Sequence, residues 1–142
     1  MSSSLEMLKI NTANFFDMHW NKKKILETPP TWSEPWFLTG SAPNFNKQGV
    51  YAFIKESEVT YIGSGASKGK KGYEGHGIGA RLGSYIRVVE VGQYRAVDPK
   101  LQDAEYVLTI GFSQGFGHIA VALEHYLLAR MQTRHNKYRP GS

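Results

Sequence analysis

The chain has 142 residues, a length that accommodates one hydrophobic core. Its hydrophobic share of 41% and aromatic share of 13% suffice for a packed globule. With 17 Lys+Arg against 12 Asp+Glu, the net charge of +5 and pI near 9.4 favour polyanionic partners, nucleic acid foremost. No cysteine is present, which excludes disulfides, zinc knuckles and thiol catalysis and fits a reducing, cytoplasmic setting. No run approaches the roughly 20 apolar residues of a membrane span. The N-terminus lacks the apolar core of a signal peptide.

In chain order, Leu5 to Trp20 reads as a short amphipathic piece, followed by the cluster Lys22, Lys23 and Lys24. Pro29, Pro30, Pro35 and Pro43 then withhold backbone donors and predict irregular chain, from which Trp32, Trp36 and Phe37 pack onto the core. Residues 1–47 are thus expected to form an N-terminal extension, packing on the core and available to contact DNA. Gly49–Ile54 and Val59–Gly65 read as two strands of a hairpin. A Gly- and Lys-rich loop runs from Ser67 to Gly77. From Ile78, the apolar residues Ile78, Leu82, Tyr85, Ile86 and Val89 recur at helical spacing. Ala104–Phe112 alternates as a half-buried strand, with Tyr106, Leu108, Ile110 and Phe112 on one face. His118–His135 reads as the longest helix. The order β-β-α-β-α defines an α+β domain.

Several residues stand out chemically. Glu124 has Ala120, Val121, Leu127 and Leu128 one turn away on either side, and a carboxylate in that setting is costly without a cation, a metal or strong donors. A structural ion pair with arginine and a metal site are both open on helix geometry. Arg81 lies one turn before Tyr85 and beside the Gly/Lys loop, where a guanidinium suits phosphate. Tyr51 and Tyr61 each occupy a strand of the hairpin, with Gly49 and Gly63 two residues away in each case; glycine within a strand marks close backbone approach.

Gly49-Val50-Tyr51 and Tyr61-Ile62-Gly63, with Arg81, Glu124 and Asn136 following in order, resemble the paired signature of the GIY-YIG nucleases, Val standing for the central Ile. The resemblance covers about residues 48–140 and implies a catalytic domain at 48–142, a three-stranded antiparallel sheet flanked by helices. It implies a DNA endonuclease using one Mg²⁺ (or Mn²⁺) and leaving 5′-phosphate and 3′-hydroxyl ends. Glu124 would hold the metal, Arg81 the scissile phosphate, and Tyr51 would act as general base or positioner of the water. Tyr61 would shape the same surface, Tyr85 takes the place one turn past the arginine, and Asn136 would brace the site. A tyrosine base needs positive charge to lower its pKa, and Lys68, Lys70 and Lys71 are candidates for that charge. These lysines and Arg87, placed in or near the loop and first helix, are the expected phosphate contacts. A symmetric duplex cut would call for a homodimer.

Other motifs fail on context. Gly75-His76-Gly77-Ile78-Gly79-Ala80 matches a dinucleotide fingerprint but no strand precedes it. The stretch from Ser64 to Lys71 lacks P-loop spacing. The five histidines show no zinc-ligand spacing. The remaining rival is a nucleic-acid-binding module on the same fold without catalysis.

Overall fold

The computed structural model describes residues 3–66 and 77–136. Helix α1 spans Ser4–His19, and Ser3 caps it by accepting from the Glu6 N–H at 3.1 Å. Strands β1 (Gln48–Lys55) and β2 (Glu58–Gly65) form the expected hairpin. Next come α2 (Ile78–Leu82), a single 3₁₀ turn (Gly83–Tyr85), and strands β3 (Ile86–Glu90) and β4 (Gln93–Ala96). The order closes with α3 (Pro99–Gln102), β5 (Tyr106–Phe112) and α4 (Gly117–Arg130).

This is a small α+β domain built on an antiparallel three-stranded sheet of order β2-β1-β5. Because β1 is central, both of its faces are buried, and its alternating side chains feed two cores. Val50, Ala52 and Ile54, with Ile62, Leu108 and Ile110, face α1 and α4. Tyr51 and Phe53, with Val107, face Ile78, Leu82, Tyr85, Leu101 and Trp36. Helix α1 is held to the first core by Leu8, Phe15, Phe16 and Trp20, each buried. Burying a side chain of that size contributes about 1.5–3 kcal/mol.

Four expectations about local structure are corrected. The helical spacing beyond Ile78 ends at Leu82; after the turn, the β-branched Val88 and Val89 extend as strand, and Val89 is 57% exposed rather than core-facing. Arg87 therefore sits on β3, not on a helix. Strand β5 is buried on both faces, by the first core on one side and by Trp36, Pro43 and Asn44 of the proline-rich segment on the other. The same segment pairs with its outer edge, where Trp36 bridges Val107 and the Ser33 N–H donates to the Thr109 carbonyl at 2.7 Å. Of the three aromatics in that segment Trp36 is buried and Trp32 partly so, while Phe37 is 64% exposed and lies against Tyr106. Finally, α4 stops at Arg130. The chain beyond it turns extended to follow the open edge of β2, where the His135 N–H donates to the Thr60 carbonyl at 3.0 Å.

In the sheet register Gly63 faces Tyr51 across the strand pair. A Cβ on Gly63 would lie 2.5 Å from both Cζ and the hydroxyl of Tyr51, so the ring occupies the space that any other residue would fill. Gly63→Ala is expected to lower stability by about 1–3 kcal/mol, the usual cost of overpacking. Gly83→Ala, with φ −56° and open space around it, should change little. Urea unfolding of the two variants checks this; equal effects would contradict it.

Candidate functional site

The ring of Tyr51, fixed across Gly63, directs its hydroxyl toward the turn that follows α2. There it shares a hydrogen bond of 3.0 Å with the Tyr85 hydroxyl. Tyr85 in turn donates to the Tyr61 hydroxyl at 3.4 Å. Arg81, an exposed residue of α2, brings its guanidinium near the Tyr51 hydroxyl, where its positive charge opposes the rise in the phenol's pKa. Phe53 fills the space between the rings, edge-on to Tyr85 at 5.2 Å and tilted against Tyr61 at 5.3 Å. The result is a chain of hydroxyls, Tyr51 to Tyr85 to Tyr61, with Arg81 beside its first member, in which each bond polarises the next.

Burial governs the phenols' acidity. Tyr51 is wholly buried and its pKa is pushed up to about 12, although the hydrogen bond shared with Tyr85 and the nearby Arg81 pull the other way. Burial raises Tyr61 and Tyr85 as well, with Lys100 opposing the rise at Tyr61 and Arg81 at both. At neutral pH all three hydroxyls are therefore protonated, and serve as donors and positioners rather than as phenolates.

On the other side of β2, alternation places Ser64 against α4. Its hydroxyl donates to Glu124 Oε1 at 2.8 Å. Burial raises the Glu124 pKa, offset in part by the Ser64 bond and the positive charges of Arg81 and His125. Glu124 makes no ion pair with any described residue, so the structural arginine partner is not seen among them. Asn136 clamps the strand between the two groups: its Oδ1 accepts from the Ile62 N–H at 2.9 Å and its Nδ2 donates to the Ile62 carbonyl at 2.9 Å. A side-chain amide thus supplies the pairing that an edge strand otherwise lacks. Because β2 is that edge strand, Tyr61 on one face and Glu124 on the other open into one cleft of about 540 Å³, shared with Lys100, Arg134, His135 and Asn136.

Tyr51, Tyr61, Arg81 and Tyr85 are therefore one cluster, and Glu124 and Asn136 join it through the cleft around β2. Arg87 stands apart on β3, and Lys68, Lys70 and Lys71 lie outside the described residues. Sequence reasoning missed Ser64 and Lys100. The ammonium of Lys100 sits 5.6 Å from the Tyr61 ring centre and 5.8 Å from that of Tyr85, within cation–π range. The available signal was Asp98-Pro99, a helix cap followed by proline at the first helical position, which sets Lys100 in the first turn of α3. Asp98 steers that lysine through an ion pair of 3.3 Å. Asp103 holds Lys55, Arg134 and His135 nearby, and the bonds from His135 and Lys55 keep its carboxyl below the ordinary range. Among the described residues no three His, Cys, Asp or Glu side chains gather as a metal cage. No helix among the described residues is long and apolar enough to cross a membrane.

No family model, curated protein or solved structure matches the chain. The functional reading rests on these residues and their arrangement.

The buried phenol makes stability depend on alkaline pH. The folded pKa of Tyr51 lies above the unfolded value near 10, so folding holds the proton more tightly. Stability is full below about pH 10 and falls as pH rises toward 12, by about 2–3 kcal/mol for this one group. Tyr51→Phe should lose about 1–2 kcal/mol at neutral pH, from the broken hydrogen bond, and should show a shallower alkaline decline. Urea unfolding of both proteins from about pH 8 upward tests this; parallel declines would contradict it.

Proposed function

We propose that the protein is a divalent-metal-dependent DNA endonuclease of the GIY-YIG type. The observation that carries this reading is a partly desolvated carboxylate, Glu124, which makes no ion pair with a described residue and opens into one cleft with the Tyr61 hydroxyl, the end of the chain from Tyr51 through Tyr85. A structural role explains such a carboxylate poorly, because desolvating it against one hydroxyl donor and no ion pair costs free energy. Phosphodiester chemistry explains it well, because a divalent cation bound between the carboxylate and the phosphate would supply the missing positive charge.

The residues fit one Mg²⁺ or Mn²⁺ held by Glu124, with the Ser64 hydroxyl fixing the carboxylate; such ions take one or two carboxylates and complete their shell with water and phosphate. When bound, the ion would polarise the scissile phosphate and offset its developing charge. Arg81 presents an exposed guanidinium near Tyr51, and its donors bind a non-bridging phosphate oxygen. Tyr61 orients the attacking water from the cleft side, its hydroxyl set by Tyr85 and Tyr51. Tyr51 acts as a positioner here, since burial holds its proton in place. Lys100 adds positive charge beside Tyr61 and Tyr85. In-line attack by water leaves 5′-phosphate and 3′-hydroxyl ends, and cutting both strands of a duplex calls for two sites, as in a homodimer.

The parent protein is expected to cut duplex DNA in Mg²⁺ and not in EDTA. Glu124→Gln should abolish cutting while retaining DNA binding. It should also raise the metal-free melting temperature near neutral pH. The folded pKa of Glu124 lies above the unfolded value, so its stability contribution is present when it is protonated and is lost as pH rises; glutamine removes that burden. Comparable cutting by the variant would overturn the metal role. DNA binding by the parent without cutting of any substrate would favour the purely binding module.

A further inference from the structure

Strands β3 and β4 form a separate two-stranded ribbon. Arg87 on β3 is the direct cross-strand partner of Arg95 on β4. Both are exposed, and neither makes an ion pair with a described residue. Like charges directly opposed on a strand pair repel each other, so the ribbon carries an electrostatic cost that these residues leave uncompensated. Glu90, opposite Gln93 nearer the tip, is likewise exposed and unpaired. Beyond the arginines three valines accompany Glu90 and Gln93 and are bare: Val88 is 70%, Val89 57% and Val91 fully exposed.

The base of the ribbon is fixed. Ile86, Tyr94 and Ala96 pack onto the core that contains the tyrosines, and Trp36 lies against Tyr94 at 6.2 Å. Residues 38–40 run along β4 as far as the turn: the Tyr94 N–H donates to the Leu38 carbonyl at 3.0 Å, Thr39 bridges Gln93, and the Gly40 N–H donates to the Gly92 carbonyl at 2.7 Å. The Val97 N–H donates to the carbonyl of Tyr85 at 2.9 Å, tying the end of β4 to the hydroxyl chain. A ribbon bearing two opposed arginines and three exposed valines is thus held in a fixed relation to Arg81 and Tyr85.

We propose that the β3–β4 ribbon enters the major groove of duplex DNA, with Arg87 and Arg95 on guanine edges and the exposed valines against thymine methyl groups. The inference rests on the nuclease reading above. The major groove admits a two-stranded ribbon, arginine binds guanine O6 and N7 in bidentate fashion, and apolar side chains meet the thymine methyl. Phosphates alone would satisfy the arginines but would leave the valines in water. Pairing of two ribbons in a dimer would bring four guanidinium groups together.

Selection from a pool of random 20-base-pair duplexes, followed by anisotropy on the enriched sequence, provides the test. The parent should enrich guanine-containing sites. Arg87→Ala with Arg95→Ala should lower affinity for the enriched duplex on the order of tenfold or more per arginine and erase the guanine preference. Its melting temperature should hold or rise, because the repulsion is gone. Arg87→Lys with Arg95→Lys should keep the salt dependence and lose the preference, since lysine lacks the fork. Unchanged affinity and enrichment in the alanine variant overturn the ribbon's role, and the nuclease reading stands if Glu124→Gln still abolishes cutting. A uniform loss across sequences reassigns the arginines to phosphates and overturns groove insertion. Loss of self-association in place of DNA affinity overturns it too. A parent that binds no duplex overturns both this inference and the nuclease reading.

Discussion

The crossing of the Tyr51 ring over Gly63 is the contact on which the candidate site depends. It requires a missing side chain on β2 and a ring on β1 in the same register, and it fixes where the Tyr51 hydroxyl points. From that hydroxyl the chain to Tyr85 and Tyr61 follows, with Arg81 beside its first member. The turn after α2 is thereby tied to the hairpin by polar bonds inside an aromatic cluster. Such bonds are strong where water is excluded and costly when broken, so the cluster is rigid as a unit.

The edge position of β2 does the complementary work. A central strand separates its two faces completely; an edge strand lets groups from both faces meet around it. Tyr61 and Glu124 meet in this way, with Asn136 capping the exposed backbone of Ile62 between them. The desolvated Glu124 works against the stability of the metal-free fold.

Much of this was legible in the sequence. The hairpin, the last strand and the final helix follow from period-2 and period-3.6 patterns, and the isolation of Glu124 follows from its helical neighbours. The two glycines marked close approach, and Gly63 proved to face the Tyr51 ring. What was not legible turns on tertiary context. The run from Ile78 to Val89 carries helical spacing, yet β-branched residues after Gly83 and Ser84 open it into the ribbon that places Arg87 beside Arg95. Ser64 is an ordinary strand serine until α4 packs against it. Lys100 is distant in sequence from the tyrosines that it approaches. The burial that keeps Tyr51 protonated depends on the second core, to which the irregular N-terminal segment contributes Trp36 and Ala42.

The claim that Glu124 is held desolvated for a cation can be tested at the carboxyl itself. Carbon-13 NMR of the Glu124 side chain, titrated with acid in metal-free buffer and again with Mg²⁺, reads its ionisation directly. The account predicts a metal-free pKa above the ordinary glutamate value that falls when Mg²⁺ is added. An ordinary pKa that Mg²⁺ leaves unchanged would contradict it.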